Sequence, residues 1–232
     1  MDSNSSLYCI QKYLSPDECL REPVPVTTYG CSYVMLEEQK NKGRKGTLEK
    51  FRLTHVPEEV IVYAIDEALE TPYPGRGKKI THPKVFSNLV RQIEDVHCPC
   101  DYVIFFKKND KVHVILCEMK SKKIKDCIPK IKATRCFIEY LKSLIINFEE
   151  ACPSYLMQDF AYSNILVDLS SNTSQGTLHK NGTHPSVQNL HEMIPSMVND
   201  IHRCPLGNQP MRNGAFEMGW ASFLRQARIN LQ

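Results

Sequence analysis

The sequence predicts an α/β fold, a mixed central β-sheet with helices on its faces. Three observations predict it. Two short runs rich in β-branched and aromatic residues, Asp101–Phe106 (DYVIFF) and Val112–Cys117 (VHVILC), flank the polar tip KKNDK and read as a hairpin. A stretch with helical periodicity stands on either side of that hairpin. A third apolar run, NILVDL over 164–169, follows the second stretch and reads as a strand.

The first helix begins at His82. Val85, Phe86, Leu89, Val90, Ile93 and Val96 recur at three- and four-residue spacing and form one apolar stripe. Thr81 can cap it, Pro83 suits its first turn, and Pro99 ends the segment. Both hairpin strands are apolar on both faces, which places them inside a covered sheet. Asp126 and Pro129 open the second helix, whose stripe is Ile128, Ile131, Phe137 or Ile138, Leu141, Leu144 or Ile145, and Phe148. Pro153 ends it.

Elsewhere the pattern is weaker. Pro16, Pro23 and Pro25 interrupt short apolar pieces in the first 45 residues. Residues 37–50 (EEQKNKGRKGTLEK) read as a basic loop, and Glu59–Leu69 fits a strand and a helix equally. Pro72, Pro74, Gly75 and Gly77 mark a connector. Residues 170–186 are a polar Ser/Thr/Asn/Gly mixture and read as a loop. A helix is expected over Val187–His202, and a last one near Gly219–Asn230 around Trp220. The expectation is one α/β domain over 1–232, with its core at about 82–169 and extensions at 1–80 and 170–232.

At 232 residues the chain is long enough to bury a sizeable core. Its 42% hydrophobic and 24% charged content is ordinary for a globular protein. A net charge of +3 does not by itself point to nucleic acid, so the placement of the basic residues matters more. No apolar run is long enough for a bilayer, and MDSNSSLYCIQKYL lacks a signal-peptide pattern. A cytoplasmic location without membrane association is the resulting expectation. In a reducing compartment the ten cysteines read as small buried hydrophobes. Cys98-Pro-Cys100 with Cys117 or Cys127 lacks the paired CxxC arrangement of zinc or iron–sulfur sites. Cys117 in a strand and Cys136 on a helix read as core residues. His97 and His113 raise a cysteine–histidine hydrolase, but His113 lies mid-strand and reads as packed.

With the hairpin turning at Asn109-Asp110, opposed residue numbers sum to 219. Asp101 then faces Glu118, and opposed residues share a face. Lys120, two positions on, shares it too. Two opposed carboxylates repel, so positive charge is needed beside them. A lysine supplies part of it. A hard divalent cation such as Mg²⁺ suits one or two carboxylates plus water and phosphate oxygens. Such an ion lowers the pKa of a bound water, and Lys120 can orient that water or stabilise transition-state charge.

The segment CDYVIFF…VHVILCEMKSKK resembles the core of the PD-(D/E)xK nuclease superfamily, the fold of many restriction enzymes and Holliday-junction resolvases. The resemblance covers about 82–169 and implies a restriction-endonuclease-like core. Asp101 matches the first acidic motif residue, and Glu118-Met119-Lys120 match the ExK half-motif. What this implies is a catalytic set of Asp101, Glu118 and Lys120, with Mg²⁺ or Mn²⁺ held by Asp101, Glu118 and the Met119 carbonyl. Glu94 or Asp95 on the preceding helix stands as an additional acid. The chain departs from the pattern at Cys100, where the family has proline, and at Lys130 and Lys132, where many members carry glutamine.

Lys122, Lys123, Lys125, Lys130 and Lys132 form a basic run beside this set and are the candidates for contact with a nucleic-acid backbone. Arg76, Lys78 and Lys79 are weaker ones. The expected function is metal-dependent hydrolysis of phosphodiester bonds by an endonuclease, with DNA favoured as substrate. A second copy or a separate targeting subunit would supply recognition. A role as effector in a bacterial defence system is implied by family analogy alone. The alternative is a non-catalytic nucleic-acid-binding or assembly subunit with the same fold.

Overall fold

The computed structural model describes residues 7–14, 20–21, 24–26, 31–37, 50–65, 99–120, 127–149, 154–168, 201–206, 211–212 and 215–229. The elements in chain order are α1 (Tyr8–Tyr13), β1 (Val24–Val26), β2 (Cys31–Glu37), β3 (Lys50–Thr54) and β4 (Ile61–Tyr63). The hairpin strands β5 (Tyr102–Lys108) and β6 (Lys111–Lys120) follow, then α2 (Cys127–Phe148) and a 3-10 turn at Ser154–Leu156. The chain continues with β7 (Ala161–Asp168), β8 (Ile201–Pro205), β9 (Met211–Arg212), β10 (Ala215–Gly219) and α3 (Trp220–Gln226).

The hairpin forms in the expected register. Tyr102 pairs with Cys117 and Lys108 with Lys111, so partners sum to 219. Asn109 and Asp110 close the turn with φ of 50° and 55°. Asn and Asp tolerate this left-handed conformation, and two such residues in succession make the turn that matches strand twist. The fixed register decides which side chains meet at the far end of the hairpin, because a slip of one residue would reverse a strand's faces.

Around the hairpin lies a five-stranded mixed sheet in the order β4-β5-β6-β7-β8. Strands β4, β5 and β6 pair antiparallel, whereas β6, β7 and β8 run parallel. A second mixed sheet has the order β1-β2-β3-β10-β9. Alternation puts Asp101, Val103 and Phe105 on one face of the first sheet and Tyr102, Ile104 and Phe106 on the other. On the latter face Phe106 meets Trp220 of α3 edge-on at 5.4 Å, and the Tyr102 hydroxyl exchanges hydrogen bonds with the Glu37 backbone of β2. Helix α2 lies against the Asp101 face, where Lys130 reaches Asp101. The first sheet is therefore an inner layer, and Tyr102–Phe106 of β5 are all buried.

Several expectations need correction. Ile201 and His202 belong to β8, not to the end of a helix over Val187–His202. Pairing with β7 buries Ile201 and Cys204, a tertiary gain that the weak helical pattern did not reveal. Phe148, placed in the stripe of α2, is 73% exposed at the helix end. Cys136 is exposed as well, whereas Cys100, Cys117, Cys127 and Cys204 are buried. Residues 59–69, open between strand and helix, contribute the strand Ile61–Tyr63. Strands β4 and β8 come from outside 82–169 and complete the first sheet on both edges. The expected helix over 82–98, the loop at 170–186 and the basic connector at Arg76, Lys78 and Lys79 lie outside the described residues. No helix among the described residues is long and apolar enough to cross a membrane.

Candidate functional site

The open end of the hairpin gathers charge on the face covered by α2. Asp101 ends the approach to β5, one residue beyond the last ladder pair, and stands across from Glu118 of β6. The Met119 amide donates a 2.6 Å hydrogen bond to Asp101 Oδ2, which ties the two strand ends together and fixes that carboxylate. Lys120 Nζ lies 2.6 Å from Glu118 Oε1. Lys130, from the first turn of α2, places its Nζ 3.0 Å from the same oxygen and 3.7 Å from Asp101 Oδ1. Glu118 is 0% exposed, Asp101 6%, Lys130 19% and Lys120 21%, so the acids lie beneath the amines.

Thr134 holds Lys130 in place. Its hydroxyl accepts the Cys100 amide at 2.8 Å and donates to the Lys130 carbonyl at 2.8 Å. Residues four apart share a helix face, so docking Thr134 against the start of β5 aims Lys130 at the acids. A proline at 100 would have no N–H to donate. The Cys100 amide thus makes a contact anchoring α2 that a proline there could not make.

Burial and the neighbouring Glu118 charge push Asp101 up from its ordinary value of 3.8 to about 7. Lys130, the Met119 amide and Lys120 pull it the other way. Burial disfavours the charged form of an acid, and a second carboxylate adds to that. Burial likewise raises the Cys100 and Cys117 thiols, which keeps them protonated and poor as nucleophiles or metal ligands. His113 stacks on Phe106 at 4.9 Å near the hairpin tip, at the opposite end of the strands from Asp101.

The structure brings Asp101, Glu118, Lys120 and Lys130 together. Met119 contributes its amide, while its side chain is fully buried in the core. Lys132 is exposed on α2. Glu94, Asp95, Lys122, Lys123 and Lys125 lie outside the described residues. Among the described residues no group of three or more His, Cys, Asp and Glu side chains converges, so the acidic component there is the Asp101–Glu118 pair.

Three residues escaped the sequence reading. Thr134 gives no signal beyond its place one turn after Lys130. Asp168 is the register partner of Lys120 in the parallel strand β7, so it faces the same side of the sheet. Arg203 of β8 pairs with it, Nε donating to Oδ2 at 2.9 Å. The acidic end of NILVDL was visible, but its alignment with the ExK strand depends on the parallel crossover.

No family model, curated protein or solved structure matches the chain. Its own residues therefore carry the functional reading. They are consistent with a cation site. Two buried carboxylates share one face, and Glu118 Oε2 has no hydrogen-bond partner among the described residues. Oxygen donors of this kind suit Mg²⁺ or Mn²⁺ rather than softer metals.

Proposed function

We propose that the chain is a metal-dependent nuclease of the PD-(D/E)xK type with a restriction-endonuclease-like core, acting on phosphodiester bonds with DNA favoured. One observation carries the proposal: Asp101 and Glu118 are buried across the open end of one hairpin, with the Lys120 ammonium 2.6 Å from Glu118. Burying two like charges costs several kcal/mol per ion before pairing, and such arrangements cluster at functional sites.

A divalent cation bound by Asp101 and Glu118, with the Met119 carbonyl, would polarise a phosphate oxygen and lower the pKa of a bound water. Asp101 is held by the Met119 amide, so its other oxygen, which faces Lys130, keeps a fixed direction. Lys120 orients the attacking water or stabilises charge building on the phosphate. Lys122, Lys123, Lys125 and Lys132 hold the backbone of the substrate. A second copy or a separate subunit supplies targeting, and by family analogy the setting is cytoplasmic bacterial defence.

One observation favours a second reading, a non-catalytic nucleic-acid-binding or assembly subunit. Lys120 and Lys130 already pair with the two acids without a metal. Thermal melting separates the two. A nuclease site that takes Mg²⁺ or Mn²⁺ raises the melting temperature of the wild type, and the rise is lost in Glu118→Ala. A binding subunit melts at the same temperature with metal and with EDTA, yet retains nucleic acid in EDTA.

A further inference from the structure

The ammonium of Lys130 lies 3.0 Å from Glu118 Oε1 and 3.7 Å from Asp101 Oδ1, so it spans the two carboxylates. Lys120 contacts Glu118 from the same strand, whereas among the described residues Asp101 forms its ion pair with Lys130. A divalent cation held by both carboxylates would compete with this ammonium for their oxygens. The charge count then decides what can coexist. With both acids ionised, the two carboxylates and two ammoniums among the described residues sum to zero. A divalent ion added to that set would leave two uncompensated positive charges beside a fully buried glutamate. Like charges a few ångströms apart in a poorly solvated site repel strongly. One ammonium must leave, and Lys130 is the one whose removal vacates the bridge.

The local structure allows that exit. Lys130 keeps 19% of its side chain exposed, and its flexible stem allows the head to swing toward solvent while α2 stays docked through Thr134. We propose that Lys130 is a built-in competitor for the cation, an internal ammonium that occupies the bridging position between Asp101 and Glu118 and is displaced when a divalent ion enters. The inference rests on Asp101 and Glu118 being cation ligands. Its consequence is a site whose acids stay paired with ammoniums without metal and which takes metal only at the cost of breaking the Lys130 pairs.

Mn²⁺ binding tests this directly. The signal of free Mn²⁺ in paramagnetic resonance reads binding without any turnover. Wild type, Lys130→Met, Lys130→Gln and Glu118→Gln are titrated at about 0.15 M and about 0.5 M salt, since added salt screens a general field effect but not occupancy of a site. Melting curves check that each variant is folded. Both Lys130 variants should bind Mn²⁺ about tenfold or more tighter than wild type, within the usual range for two coupled binding events, and the gain should survive the higher salt. Glu118→Gln should lose binding. Equal affinity in wild type and both Lys130 variants, with loss in Glu118→Gln, overturns the competitor and leaves the metal site standing. A gain that vanishes at the higher salt also overturns it, because Lys130 would then act only through its field. No Mn²⁺ binding by wild type or by either Lys130 variant overturns both the competitor and the metal site.

Discussion

The Met119 amide donates a 2.6 Å hydrogen bond to Asp101 Oδ2 across the open end of the hairpin. One oxygen of Asp101 is thereby committed to the backbone, and the other faces Lys130 at 3.7 Å. The carboxylate is oriented by main chain, which any residue at 119 except proline can provide. Its charge state is set by the buried Glu118 and the two lysines around it.

That charge state has a pH signature. The folded-state pKa of Asp101 is raised from 3.8 to about 7, so the folded protein holds this proton across a window in which the unfolded chain has lost it. For an acid raised in this way, stability falls as pH rises from about 4 to about 7 and levels off above. Asp101→Asn mimics the neutral form and keeps an acceptor for the Met119 amide. In EDTA, the melting temperature of the variant relative to wild type should climb through that window and then plateau. A difference that does not change with pH would contradict the assignment.

Glu118 holds two ammoniums while 0% exposed. On the sequence alone, two opposed carboxylates repel, and loss of one would relieve the fold. The structure reverses that expectation, because Lys120 and Lys130 already compensate the pair. Removing one partner of a buried ion pair costs about 3–5 kcal/mol, and the lysines' access to solvent reduces this to roughly 1–3 kcal/mol here. Denaturant unfolding of Glu118→Ala in EDTA should show that loss. An unchanged or raised midpoint would mean that repulsion dominates after all.

Thr134→Val keeps the shape of the side chain and removes its hydroxyl. The buried Cys100 amide then loses its 2.8 Å acceptor, at a cost of about 1–3 kcal/mol. Thr134→Ser should restore most of it. Denaturant midpoints of the three proteins check the order, and equal stability of the valine and threonine forms would remove the anchor from the account.

Nucleic-acid affinity should fall steeply with salt, by a slope of about 0.9 per duplex phosphate contacted. Replacing Lys122, Lys123 and Lys125 together with alanine should flatten that slope in a filter-binding series. An unchanged slope would show that these lysines only solvate the surface.

The hairpin, its turn and its register were legible because local rules govern them. Asn109-Asp110 specifies the turn, and period-two alternation then fixes that Asp101, Glu118 and Lys120 share a face. Helix α2 was legible from its apolar spacing. What stayed hidden depends on contacts between distant segments. The three-residue strand β4 and the five-residue β8 are too short to declare a period, and they exist because the edges of the first sheet accept them. Lys130 was visible as a basic residue near the site. That it turns inward to the acids follows from the docking of Thr134 on Cys100, a pairing 34 residues apart.

The central claim is that Asp101, Glu118 and Lys120 cleave phosphodiester bonds with a bound cation. The most direct measurement incubates supercoiled plasmid, linear duplex, single-stranded DNA and RNA with wild-type protein in Mg²⁺, Mn²⁺ or EDTA, beside Glu118→Ala and Lys120→Ala purified identically. The account predicts cleavage of at least one DNA form by wild type with metal, none in EDTA, and none by either variant. Cleavage that persists in Glu118→Ala, or wild-type protein that cuts none of the four substrates in any metal, would contradict it.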